Sequence, residues 1–158
     1  STGDAPICGN VTYPAATGAC AFRFVGNAGE ASKLKQTLPF PSFFIPRKNG
    51  LLTFLFYYRV MDAALGSAKI KFKVNYSDGT PTSTRTINLT GTSPMGVYNI
   101  ITKNIYLASG KVASVNLTAP FKSTAGTLLL DYVVFNYVAT ASTRDGVPPA
   151  PLAAPVKR

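Results

Sequence analysis

The sequence predicts an all-β protein, a two-sheet antiparallel β-sandwich followed by an extended, proline-rich C-terminal tail. Apolar and polar residues alternate with a period of two along most of the chain, which is the pattern of strands with one buried face. Glycine-containing turn dipeptides separate these segments, and no segment keeps a helical period over a dozen residues. A chain of 158 residues is long enough to bury the core of one such domain.

The first half of the chain has the clearest alternation. Strands are predicted at residues 20–25, at residues 32–38 and from Leu51 to Met61, the last being the most apolar and therefore central. A further strand runs from Lys69 to Ser77, with aromatic and aliphatic residues on one face and lysines on the other. Asp78-Gly79 follows, and this dipeptide accepts the positive φ angles of a tight hairpin.

The second half continues the same pattern. Its predicted strands are Thr84 to Leu89 and residues 97–107, 111–117 and 127–138. The complete set of about eight to ten strands forms one domain over residues 1–138, for which we expect a jelly roll.

Residues 139–158 form a tail of different composition, with four prolines among the last twelve residues. Proline cannot donate to a sheet ladder, so we predict an extended, polyproline-like segment. Val147, Leu152 and Val156 are its apolar anchors. We expect them to bind a neighbouring copy of the chain, a contact that propagates into a filament, while docking on their own domain is the alternative.

The two cysteines, Cys8 and Cys20, are predicted to form a disulfide. Two cysteines without any histidine do not make a zinc site. A disulfide closing a loop of this size stabilises by roughly 3 kcal/mol and indicates an oxidising, secreted or cell-surface location. Two unrelated buried thiols are the alternative.

The inventory of titratable groups argues against catalysis. The chain has no histidine and six carboxylates, so no serine or cysteine has an imidazole to activate it. Glu30, Asp62 and Asp131 are the acids left for a catalytic pair, and their spacing brings no two of them together. We therefore predict that the protein is not an enzyme and requires no cofactor.

Three segments resemble a known family. The residues from Gly126 to Val133 are similar to the closing strand of galactose-binding-like jelly rolls, a group that includes carbohydrate-binding modules of glycoside hydrolases. Gly18 to Phe24 resembles their early strand, and Leu51 to Val60 resembles their long central strand. The resemblance covers roughly residues 8–138.

The resemblance implies a structural calcium site and a sugar site. The calcium would be held by Asp131 with an acid near the N-terminus, for which this chain offers only Asp4. The alternative is that Asp131 accepts hydrogen bonds from backbone amides or pairs with a basic residue. Sugars would stack on exposed aromatic rings; without tryptophan, the candidates are Tyr57, Tyr58, Tyr98 and Tyr106, for which packing in the core is the alternative.

A net charge of +10 favours acidic partners such as an acidic polysaccharide. Lys69, Lys71 and Lys73 share one strand face, and Lys33 and Lys35 form a second row. The aromatic residues between them point the other way, so we predict no specific binding of nucleic acid. A solvated outer face is the simpler account of these lysines. No apolar stretch is long enough to span a membrane.

Four asparagines stand in acceptor sequons for N-glycosylation. They either carry glycans or are ordinary polar residues on the exposed faces of strands. They are Asn10, Asn75, Asn88 and Asn116.

Two functions remain. The first is a secreted structural subunit that assembles with copies of itself into a filament, sheath or surface layer. The second is a non-catalytic carbohydrate-binding module.

Overall fold

The computed structural model describes residues 3–10, 15–38, 40, 45–61, 67–89 and 97–139, and these residues form nine strands without a helix. The predicted all-β class is therefore confirmed. The strands are β1 (Ala5–Cys8), β2 (Cys20–Val25), β3 (Ser32–Leu38), β4 (Leu51–Met61), β5 (Ser67–Tyr76), β6 (Ser83–Leu89), β7 (Asn99–Tyr106), β8 (Val112–Lys122) and β9 (Thr127–Val138).

Two sheets make the sandwich. One sheet has five strands in the order β1-β2-β9-β4-β7, and the other has four in the order β3-β8-β5-β6. All seven pairings between neighbouring strands of these two sheets are antiparallel. From β2 to β5 and from β6 to β9 consecutive strands alternate between the sheets, which is the strand order of a jelly roll.

The core lies between the sheets and follows from the alternation of β4 and β5. Phe54 and Phe56 of β4 and Phe72 of β5 are fully buried, and the rings of Phe54 and Phe72 stack with centroids 4.0 Å apart. Each fully buried aromatic or aliphatic side chain stabilises the fold by about 1.5–3 kcal/mol.

The ends of β5, β6 and β7 lie within two residues of the predicted ones, and larger differences occur at two strands. β8 continues to Lys122, five residues beyond the prediction, because the small residues and Pro120 at its end weaken the strand signal. β1 was not predicted. It is only four residues long and contains Pro6, which is tolerated at a sheet edge.

The disulfide between Cys8 and Cys20 is confirmed. The two residues are direct partners in the register of β1 and β2, with their Cα atoms 4.0 Å apart. The bond therefore fixes the edge strand β1 to the sheet.

The tail and its predicted anchors, Val147, Leu152 and Val156, lie outside the described residues, so their role stays a prediction. Among the residues that are described, none belongs to a helix long and apolar enough to cross a bilayer.

Candidate ligand-binding face

The outer surface of the five-stranded sheet exposes several large apolar side chains. We call the outward-facing residues of β4, β7 and β9 the aromatic face. Across the three strands they form four rows, which are Tyr106, Leu51 and Val138; Asn104, Thr53 and Asn136; Thr102, Leu55 and Val134; and Ile100, Tyr57 and Asp131. Apolar rows and polar rows thus lie side by side on one sheet surface.

Several large apolar side chains of this face are in contact with solvent. Tyr106 is 65% exposed and Tyr132 is 46% exposed, and Ile100, Val134 and Val138 are exposed as well. Scattered exposed apolar residues are ordinary, whereas several on one sheet surface make that surface a candidate for binding.

A β-bulge in β9 brings Tyr132 onto this face. The register between β4 and β9 shifts between Leu55 and Tyr57, so Phe56 stands opposite two residues, Tyr132 and Val133. Tyr132 has a φ of 48°, the left-handed region that a bulky residue rarely adopts. The extra residue reverses the alternation of the strand and leaves both Asp131 and Tyr132 on the outer side.

The rings of Tyr57 and Tyr132 pack edge to face, with centroids 5.5 Å apart. This geometry is favoured by the ring quadrupoles. The pair forms a small aromatic platform at one end of the aromatic face, while Tyr106 stands at the other end.

Asp131 holds the neighbouring loop against this platform. Its Oδ2 accepts hydrogen bonds from the backbone N–H groups of Ala16 at 2.7 Å and Thr17 at 2.9 Å, and its Oδ1 accepts one from Tyr132 at 2.6 Å. Asp131 is buried, with only 8% of its surface exposed, and its negative charge is compensated by the three backbone amide donors. The arrangement agrees with the hydrogen-bonding alternative predicted for this aspartate.

A buried basic residue and a tyrosine just outside the aromatic face lie within electrostatic range of each other, and the tyrosine also lies within range of Asp131. Arg59 is 4% exposed, and its Nε has no hydrogen-bond partner among the residues that the structure describes. Burial, with a smaller contribution from the negative charge of Asp131, raises the pKa of Tyr98 to about 12, and the positive charge of Arg59 acts in the opposite direction. Tyr98 is therefore a neutral hydroxyl at physiological pH.

The predicted calcium ligands are not brought together. The Oδ1 of Asp4 accepts a hydrogen bond from the N–H of Val25 at 2.8 Å, and Val25 is paired with Thr127, four residues before Asp131. Four residues of strand span roughly 13 Å. Two ligands of one calcium ion lie within about 5 Å of each other. The described residues also contain no group of three or more Asp, Glu, His or Cys side chains that could hold a metal ion.

The remaining predicted residues have separate positions. Tyr58 is buried in the core and Tyr98 precedes β7, so of the four tyrosines proposed for sugar stacking only Tyr57 and Tyr106 belong to the aromatic face. Glu30 accepts a hydrogen bond from Asn27 at 3.1 Å, and Asp62 lies outside the described residues.

The candidate glycosylation sites are mostly on the other sheet. Asn75 and Asn116 donate to the hydroxyl of Ser114 at 2.8 and 3.4 Å, while Asn88 is exposed on the edge strand β6. Asn10 is exposed after β1, and the rest of its sequon is not described.

No family model matches the sequence, and no curated protein matches it either. Solved structures do resemble the fold. A family 16 carbohydrate-binding module has a TM-score of 0.60 at 7% identity, with 84% of each chain covered. The module TmCBM61, solved in complex with β-1,4-galactotriose, has a TM-score of 0.55 at 15% identity, covering 84% of this chain and 81% of that one.

A third similar structure is the enzymatically active domain of tailspike protein 4 from bacteriophage CBA120. It has a TM-score of 0.59 at 12% identity and covers 85% of this chain but only 18% of its own. Identities this low show a shared fold and nothing more specific. The chain has the β-sandwich fold of carbohydrate-binding modules.

Proposed function

We propose that the protein is a secreted, non-catalytic carbohydrate-binding module whose aromatic face binds a neutral oligosaccharide. The observation that carries this proposal is Tyr132, which is held at a positive φ with its ring outward beside Tyr57. Unfavourable backbone conformations persist at ligand sites because the surrounding structure holds them. The unfavourable backbone conformation of Tyr132 directs its ring into solvent, where the ring contributes little to packing of the core.

The chemistry of the aromatic face suits a sugar. The C–H groups of a pyranose ring form an apolar surface that packs on an aromatic ring, and its hydroxyls need polar partners nearby. The row of Asn104, Thr53 and Asn136 offers amide and hydroxyl groups between the two apolar ends.

The length of the face favours an oligosaccharide over a single sugar. Leu51, beside Tyr106, and Tyr57, beside Tyr132, are six residues apart on β4, which corresponds to roughly 20 Å. The complex of TmCBM61 with β-1,4-galactotriose supports the ligand class, since that module shares the fold. The disulfide and the fold are both consistent with an extracellular protein.

A glycan array followed by calorimetry with the best neutral oligosaccharide tests the proposal. Tyr132→Ala and Tyr57→Ala should each weaken binding at least about tenfold, equal to about 1.4 kcal/mol. Tyr132→Phe is the matched control, because it keeps the ring and should keep most of the affinity. Tyr106→Ala should weaken binding of long oligosaccharides more than short ones. The absence of any bound neutral glycan, or wild-type affinity in the alanine variants, would refute this function.

Self-assembly is the second candidate, and the aliphatic part of the same face favours it. Ile100, Val134 and Val138 are exposed side by side with the tyrosines, as in surfaces that bury against another protein. Pairing through one face gives a closed dimer, so a filament needs a second contact, for which the sequence suggests the tail. Light scattering of the whole chain and of a chain lacking residues 145–158 decides this. A monomer at high concentration in both cases excludes self-assembly.

A further inference from the structure

The outer surface of the four-stranded sheet carries a second, differently charged face. Its lysines come from strands that are far apart in the sequence. We call this set the lysine face, and its members are Lys33, Lys35, Lys69, Lys71, Lys73 and Lys122. The sheet order places β8 between β3 and β5, so Lys35 and Lys71 stand opposite each other on either side of Thr118.

The two lysine rows line a groove of about 490 Å³, with the uncharged outward residues of β8 at its base. The rows are separated by two strand spacings, about 10 Å, and lysines within a row are roughly 7 Å apart. Thr118 and Asn116 at the base offer a hydroxyl and an amide between the ammonium groups. The groove is thus cationic at its sides and hydrogen-bonding along its centre.

No carboxylate of the described residues lies on this face. Asp4 precedes β1 and is bound to Val25 of β2, Asp131 lies in β9, Asp78 is in the turn after β5, and Glu30 precedes β3. The positive charges therefore add to one another and attract anions. A second copy of the chain, with six acids and a net charge of +10, is a poor source of the complementary charge.

We propose that the lysine face binds an acidic polysaccharide, whose carboxylate or sulfate groups contact the two lysine rows while its hydroxyls contact the base of the groove. The outward residues of β3, β5 and β8 that the structure describes include no aromatic ring on which a nucleic acid base would stack. They also include no large apolar side chain for insertion into a lipid surface. A polymer of sugars with regularly spaced negative charges matches both the charge and the polar centre.

The test compares two charge-matched double variants of the whole chain. Lys35→Gln with Lys71→Gln removes the facing pair, whereas Lys48→Gln with Lys111→Gln removes the same charge outside the lysine face. The probes are heparin, polygalacturonate, neutral dextran, single-stranded polyuridylate and vesicles containing phosphatidylserine. Dissociation constants are measured at 50 and 200 mM salt.

The wild-type protein should bind heparin or polygalacturonate, more weakly at 200 mM salt, and should not bind dextran through this face. The facing-pair variant should lose at least about fivefold in affinity with a shallower salt dependence, and the control variant less than about twofold. Lys35→Arg with Lys71→Arg should retain binding. Equal losses in the two glutamine variants would reduce the effect to net charge and overturn the proposal. Tighter binding of polyuridylate or of vesicles would overturn it as well.

This proposal does not depend on the function of the aromatic face. Tyr132→Ala should leave the affinity for acidic polysaccharide unchanged, because Tyr132 is on the other sheet. The two sites can therefore fail separately.

Discussion

The rings of Tyr57 and Tyr132 meet edge to face at a centroid distance of 5.5 Å. They lie at a bulge between β4 and β9, whereas the other strand pairs of the five-stranded sheet keep a regular register over the described residues. Tyr57 comes from a regular strand, whereas Tyr132 depends on one unfavourable φ angle. The platform therefore combines a ring on a strand of ordinary backbone conformation with one held under backbone strain.

Replacing Tyr132 by glycine should give a more stable protein than replacing it by alanine. Glycine in a strand is usually less stable than alanine by about 0.5–1 kcal/mol. At a φ of 48° the order should reverse, because alanine keeps the Cβ conflict and glycine does not. Urea unfolding of both variants measures the difference. Alanine equal to or better than glycine would mean that this backbone is not strained.

Removing calcium should leave the melting temperature unchanged. Both carboxylate oxygens of Asp131 already accept amide hydrogen bonds, and Asp4 is bound to Val25. Asp131→Ala should cost about 1–3 kcal/mol, with or without chelator, because amide donors lose their partner. Thermal unfolding in EDTA and in millimolar calcium checks both statements. A rise in melting temperature with calcium that Asp131→Ala abolishes would restore the metal site.

Gly50→Ala should destabilise the protein by about 1–3 kcal/mol. A Cβ at residue 50 would lie 2.6 Å from the ring of Tyr137, whose hydroxyl also accepts a hydrogen bond from the N–H of Arg47 at 2.9 Å. The same change in a Tyr137→Ala background should cost less, since the ring is gone. A double-mutant cycle measures the coupling. Equal costs in the two backgrounds would show that Tyr137 is not the obstacle.

Stability should fall as the pH rises from about 10 to 12, with part of the loss due to Tyr98. Burial raises the pKa of this tyrosine from its ordinary value of 10.0 to about 12. The folded protein therefore holds the proton more tightly than the unfolded chain, and that stabilisation is complete below pH 10 and lost by pH 12. Tyr98→Phe should show a smaller loss across this window. Parallel pH profiles of the two proteins would argue against the shift.

Glycan attachment, where the host supplies it, should favour Asn88 over Asn75 and Asn116. Asn88 is exposed on an edge strand, whereas the other two side chains donate to Ser114. Peptide mapping of protein from a eukaryotic secretory host measures the occupancy. Higher occupancy at Asn75 would contradict the order, and an unmodified intact mass would exclude attachment at every site.

Much of the fold was predictable because one face of nearly every strand is buried. The boundaries Ser32–Leu38, Leu51–Met61 and Thr127–Val138 agree with the alternation of apolar and polar residues. The turn at Asp78-Gly79 was predictable from its dipeptide, and Gly79 does adopt a positive φ of 79°. The connection is longer than the predicted tight hairpin, because residues 77–82 separate β5 from β6.

The candidate site was less predictable. The segment around Tyr132 reads as continuous strand in the sequence. The bulge becomes visible only in the pairing of β9 with β4, and it lies just beyond the residues of β9 that pair with β2. Tyr57 and Tyr58 are adjacent residues of the same type. They are distinguished only by the alternation along β4, in which Tyr58 shares the buried face of Phe54 and Phe56 while Tyr57 lies on the outer face. The groove between Lys35 and Lys71 depends on a sheet order that distant segments determine.

The back-to-back packing of the two sheets gives the molecule two surfaces that point in opposite directions, separated by a core about 10 Å thick. A chain held on one side by a neutral polymer would still present its lysines on the other side. Such a molecule is divalent without being a dimer. Mixed with both kinds of polymer it would act as a non-covalent cross-link, and the stiffness of the mixture would rise with its concentration and fall with added salt.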